Sequence, residues 1–193
     1  AIALIKPQIH IPLVADIHFD HTLAIKSIEN GIDKLRINPG NIGSEKRVGE
    51  VVAAAKDKQV PIRIGVNAGS LQKELAAKNA AAMVESALEH IAILERHGFY
   101  DIVVSVKHSG VKETVEAYRL LHKAIDYPLP LGVTEAGTQR MAVVKSAAGI
   151  GALLLDGIGD TIRVSISGDP VKEIGAGQDI LRACGLRQDG VEI

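Results

Sequence analysis

A series of short apolar segments in this 193-residue chain ends in polar residues that share a face. Asp16 and His18 close the first, Arg36 and Asn38 the second, and Arg63 and Asn67 the third. Ser105 and Lys107 follow, and Arg163, Ser165 and Ser167 close the last, while the fifth segment ends in the consecutive pair Thr134 and Glu135. Side chains alternate across a strand, so positions two apart lie on one face and their apolar neighbours on the other. Gathered at one end of a fold, the Arg and Lys residues raise one another's cost, and they stay charged only where an anion compensates them. Arg offers a planar fork that matches phosphate oxygens, and Asn and Ser add neutral donors. A compact, doubly anionic ligand bearing hydroxyls, such as a diphosphate, fits this donor set. Other chemistry stays open at single positions. Any one Arg can instead sit in an ion pair with Asp16 or Glu135. Lys107 suits either a phosphate clamp or a Schiff-base lysine. Glu135 is the best-placed acid for proton transfer, with an Arg partner as the equal alternative.

The elements that must position these groups alternate. Strands are predicted over 13–17, 34–37, 61–66, 101–106, 130–133 and 161–165. The residues Asn38 to Asn41 read as a turn, and Gly65 leaves room for something to approach the backbone. Helices are predicted over 21–30, from Ser44 as N-cap to 58, and over 71–97 with a break near Asn79. The stripe of that long helix is Met83, Val84, Ala87, Leu88, Ile91 and Leu94, with His90 counted among surface or helix histidines. Further helices are predicted over 112–125, 139–148 and, from Asp169 and Pro170, to about Cys184. The glycine-rich stretch 149–159 carries no assignment. The amides that open the last helix are candidate phosphate donors. Strand and helix in strict alternation, with connections too long for hairpins, give a parallel α/β fold. No GxGxxG follows a strand, which disfavours a dinucleotide fold. The choice is a (β/α)8 barrel of the TIM type, incomplete here, with about six βα units in a single partial domain over 1–193.

Composition narrows the function. Aromatic residues make up only 3%, which speaks against stacked nucleobases. A formal net charge of −1 without a basic block disfavours nucleic acid and anionic membranes as partners. No apolar run has the length of a membrane span. Cys184 is the single cysteine, which excludes an internal disulfide and a multi-cysteine metal or iron–sulfur site within the chain, and it points to a reducing compartment. Residues 1–6 look like the tail of a helix, and 188–193 stop without a closing element, so the chain reads as a piece of a longer protein.

Several motifs carry a family resemblance: PLVADIH from Pro12, KLRINPGNIG from Lys34, IRIGVNAGSL from Ile62, SVKHS from Ser105, LGVTEAG from Leu131 and GIGDTIRVS from Gly157. In this order they resemble the 4-hydroxy-3-methylbut-2-enyl diphosphate synthases, iron–sulfur enzymes of the methylerythritol phosphate route to isoprenoids. The resemblance covers essentially the whole chain. It implies a barrel that binds 2-C-methyl-D-erythritol 2,4-cyclodiphosphate, whose ring is opened reductively. It implies a separate C-terminal domain with a [4Fe–4S] cluster, flavodoxin or ferredoxin as electron donor, and a homodimer. Arg36, Arg63, Lys107 and Arg163 would hold the diphosphate. Asp16, His18, Asn38, Asn67, Thr134, Ser165 and Ser167 would complete the pocket, and Glu135 would donate a proton. The location implied is the bacterial cytoplasm, or the plastid stroma in a plant or alga. Against the family pattern, the first two barrel strands with an expected Arg and the cysteine domain are absent, and the stretch 76–82 is shorter and Ala-rich. The chain would therefore be inactive alone, with cluster ligands outside it and no metal ligand within it. A barrel aldolase using Lys107 and a non-catalytic anion-binding remnant are the alternatives.

Overall fold

A computed structural model describes residues 1–67, 79–134 and 136–188. The chain forms two compact units, residues 1–66 with 85–105, and residues 67–84 with 106–193. In chain order the first part carries α1 (Ile2–Ile5), a 3-10 turn (Lys6–Gln8), β1 (Val14–Asp16), α2 (His21–Glu29) and β2 (Lys34–Ile37). It continues through α3 (Pro39–Ile42), α4 (Glu45–Lys58), β3 (Ile62–Asn67), α5 (Ala80–Arg96) and β4 (Ile102–Lys107). Then come α6 (Val111–Ala124), β5 (Pro130–Gly132), α7 (Gln139–Leu155), β6 (Thr161–Arg163) and α8 (Val171–Ala183). One sheet has the order β1-β2-β3-β4, and a second pairs β5 with β6. The pairings of β1 with β2, β2 with β3, and β5 with β6 are parallel.

The predicted alternation holds, with corrections at the ends. Residues Asn38 to Asn41 are not a simple turn: the Asn38 side chain accepts from the Gly40 amide and caps the short α3. Helix α7 runs on to Leu155 through the glycines where the sequence reading stopped. Gly149 is there for space, because a Cβ on it would stand 2.9 Å from Val133 Cγ2. On α5, Leu88 is 37% exposed while His90 is 3% exposed, so the histidine replaces the leucine on the packed face. Residues 68–78 lie outside the described residues, and with them 71–78, the first part of the helix predicted over 71–97.

Register in both units starts from an aspartate placed just before a strand. Asp33 accepts from the Leu13 amide at 2.6 Å and donates its own amide to Leu13 O at 2.9 Å. Asp160 and Leu129 repeat this exchange at 2.7 and 3.0 Å. Each pair satisfies backbone groups ahead of the ladder and fixes which residues lie side by side further along. The opposite faces of the strands bury Leu35, Ile37, Ile62 and Ile64 in the first unit and Leu131 in the second.

Candidate functional site

In the first unit, register places Asp16 beside Arg36, and Arg36 beside Arg63. A carboxylate and two guanidinium groups thus begin in one row across three adjacent strands. Arg36 is buried, with 6% exposure. Its Nη1 donates to Asp16 Oδ1 at 2.8 Å, and its Nη2 donates to the Gly65 carbonyl at 3.1 Å. Like charges side by side on a sheet repel, and Asp16 on the far side offsets part of that repulsion. The alternative raised for a single Arg, an ion pair with Asp16, is therefore realised at Arg36. Arg63 on β3 is half-buried.

His18 stands at the rim of this row, about half exposed. Its ring lies 3.4 Å from Arg36 Nη1 and 3.4 Å from Asp16 Oδ1, and it tilts against Phe19. Asn38 is buried with its Oδ1 engaged by Gly40 N at 3.1 Å, so this oxygen shapes the turn. Asn67 ends β3. Ser105 is taken by the sheet itself, its Oγ donating to Ile64 O at 3.2 Å. The approach foreseen over Gly65 is made by Arg36: a Cβ on Gly65 would stand 2.3 Å from Arg36 Nε.

In the second unit Lys107 is 5% exposed, and its Nζ would lie 3.6 Å from a Cβ on Gly132. Thr134 is half-buried, and its amide donates to His108 O, joining the exits of β4 and β5. Arg163 and Ser167 are exposed and Ser165 is half-buried, while Val164 and Ile166 between them are buried. The predicted alternation over these residues holds beyond the end of β6. Glu135 lies outside the described residues.

The amides at the start of α8 do not serve an anion. Val171 N donates to Asp169 Oδ1, Lys172 N to Asp169 O and Glu173 N to Pro170 O. Glu173 turns back to accept from Ile166 N at 2.9 Å. Two carboxylates already occupy the positive end of this helix, so it offers a phosphate little.

His90 is the residue that sequence reasoning missed. Burial pushes its imidazole pKa down to about 4, and Nδ1 has no hydrogen-bond partner among the described residues. Its Nε2 lies 2.8 Å from where a Cβ on Gly40 would be, so the ring edge props the turn that carries Asn38. The available signal was spacing: Met83, Ala87, His90 and Leu94 fall on one helical face.

These strand-end residues lie within a region, residues 1–178, that matches the GcpE TIM-barrel domain. The chain belongs to the GcpE TIM-barrel family. It is 61% identical to the 4-hydroxy-3-methylbut-2-en-1-yl diphosphate synthase (flavodoxin) of Caldanaerobacter subterraneus, over 98% of this chain and 54% of that protein. It is 58% identical to the synthases of the same name from Fusobacterium nucleatum and Geobacter sulfurreducens, over 100% of this chain and 56% of each. The chain thus spans about half the length of the curated relatives it matches. Among solved structures, Yersinia pestis dihydropteroate synthase aligns with a TM-score of 0.63 at 14% identity, over 95% of this chain and 76% of that one. The carboxyl transferase domain of Rhizobium etli pyruvate carboxylase aligns with a TM-score of 0.64 at 14% identity, over 94% of this chain and 33% of that one. At such identities these two speak for the fold alone. The resemblance read from the motifs and the α/β TIM-barrel class are both borne out.

As a GcpE domain, the chain does not supply an iron–sulfur centre from its own donors. Such clusters rest on several thiolates, and Cys184 is its single cysteine. That residue caps the end of α8, half-buried, with Sγ 4.0 Å from Gly151 O. Among the described residues no helix is long and apolar enough to cross a membrane.

Proposed function

We propose that this chain is the substrate-binding barrel portion of an iron–sulfur synthase. That enzyme reductively opens 2-C-methyl-D-erythritol 2,4-cyclodiphosphate to 4-hydroxy-3-methylbut-2-enyl diphosphate. The observation that carries the reading is the row of Asp16, Arg36 and Arg63 across β1, β2 and β3. Arg36 and Arg63 stand side by side on neighbouring strands there, and the planar fork of a guanidinium matches the oxygens of a phosphate group. The names of the relatives support the same reading.

Within it, Arg36, Arg63, Lys107 and Arg163 bind the diphosphate, and Asn67, Thr134, Ser165 and Ser167 complete the polar contacts. Asp16 and His18, half-exposed beside Arg36, face the substrate hydroxyls, and Asp16 also holds Arg36 in place. Asn38 lends its amide end, its oxygen being engaged in the turn. Glu135 is assigned proton donation. These side chains position charge and carry no electrons, so the reducing step belongs to a [4Fe–4S] cluster held by residues outside this chain. Flavodoxin or ferredoxin supplies the electrons, the full-length protein acts as a homodimer, and the reaction takes place in the bacterial cytoplasm.

The test is calorimetry of the full-length protein with the cyclodiphosphate. Arg63→Ala is expected to weaken binding by about 1.5–3 kcal/mol, the scale of a lost charged hydrogen bond. Unchanged affinity removes Arg63 from the site. Borohydride trapping with carbonyl substrates addresses the aldolase alternative, and a covalent adduct on Lys107 would establish it in place of the synthase reading.

A further inference from the structure

We propose that Gly65 is a positioning residue for the anion site, the seat on which the Arg36 guanidinium lies. Arg36 starts level with Arg63, and Gly65 is two residues further along β3 on the same face. Instead of projecting straight out between Asp16 and Arg63, the side chain leans diagonally across β3. A Cβ on Gly65 would stand 2.3 Å from Arg36 Nε, 2.6 Å from Nη2 and 2.8 Å from Cζ. Each distance is shorter than real side chains tolerate, so any residue but glycine drives the whole guanidinium off this spot. Its Nη2 donates to the Gly65 carbonyl in a buried bond, so position 65 provides both the space and one of the anchors.

Backbone conformation does not explain the glycine, since Gly65 is absent from the residues with positive φ. Its nearest foreign atoms all belong to one flexible side chain. Gly132 in the second unit shows the contrast: a Cβ there would meet the Arg163 carbonyl at 2.9 Å, so that glycine serves the spacing of two strands. At Gly65 the displaced atoms belong to the guanidinium whose Nη1 holds Asp16, so the consequence of filling the space is a rearranged charge row and an intact strand.

The proposal rests on the reading of Arg36 as a substrate residue, and its test separates the two. Gly65→Ala, Arg36→Ala and the double variant are made in the full-length protein, and each is measured for cyclodiphosphate affinity and for denaturation midpoint. Gly65→Ala is expected to weaken binding about tenfold or more, as Arg36→Ala does. The double variant should bind no worse than Arg36→Ala alone, because the guanidinium that the new methyl displaces is already gone. Wild-type affinity in Gly65→Ala, or single losses that multiply in the double variant, would overturn the seat. If Arg36→Ala leaves affinity intact, Arg36 is no substrate residue, and the midpoints then decide the seat alone. A shift caused by Gly65→Ala that vanishes in the Arg36→Ala background supports it, and a shift that persists there, or no shift in either background, refutes it.

Discussion

Acid should unfold this protein partly through His90, and the effect can be isolated. The imidazole sits on the packed face of α5 with 3% exposure, and burial lowers its pKa from 6.5 to about 4. The folded state therefore keeps the ring neutral while the unfolded chain takes up a proton below about pH 6.5. Between those two values the unfolded state binds more protons, so stability rises with pH across the window. The neutral ring's full contribution is present above about pH 6.5 and is lost progressively as pH falls toward about 4, where the loss levels off. A displacement of this size corresponds to roughly 3 kcal/mol. His90→Leu has similar bulk, carries no proton and removes the unpartnered Nδ1. Urea denaturation of both proteins between about pH 4.5 and 7.5 should show wild type losing roughly 2–3 kcal/mol more than the variant on acidification. The His90 ring signal in an NMR titration should still be that of a neutral imidazole at about pH 5.5. Titration of His90 near its ordinary value, or identical acid loss in the two proteins, would refute the assignment of burial as the cause. At neutral pH His90→Leu should weaken the support under Gly40, and with it the Asn38 turn, more than it weakens the helix.

Two further outcomes follow from contacts within single units. Gly159→Ala should lower stability by about 1–3 kcal/mol, because φ there is +114° and the new Cβ would meet Leu131 Cδ1 at 2.4 Å; an unchanged thermal midpoint would contradict this. Asp33→Asn should speed hydrogen exchange at the Leu13 amide, since the Asp33 carboxylate accepts that amide and the Lys6 ammonium. These bonds, the Leu13 amide first and Lys6 next, hold the Asp33 pKa below the usual carboxylate range. The stabilisation is present above the ordinary carboxylate pKa and disappears as pH falls through the lowered one. Wild type should therefore resemble the variant only in strong acid, and equal exchange rates at neutral pH would count against the clamp.

The polar strand ends were legible because parity is local. Once a strand is recognised, every second residue must share a face, and the apolar partners Leu35, Ile37, Ile62 and Ile64 name the buried side. The same local logic misled at three places. Gly149 and Gly151 look like the end of a helix but lie inside α7, where Gly149 allows Val133 to pack closely. Leu88 outranks His90 on any hydrophobicity scale, yet its position on the helix leaves it at the rim. Asp169 takes the Val171 amide that a helix start seemed to offer, and Glu173 brings a second carboxylate to that end, where it accepts from Ile166 N.

Taken alone, the residue order determined the alternating α/β plan, the family, and which groups stand at the strand ends. Only the tertiary structure decided which of those groups are neighbours. Register between strands is set by aspartate clamps such as Asp33 with Leu13 and by packing on the opposite face, contacts between residues far apart in the chain. Asp16, Arg36 and Arg63 are distant in sequence and adjacent in space, and Gly65 matters only because a guanidinium from another strand comes to rest on it.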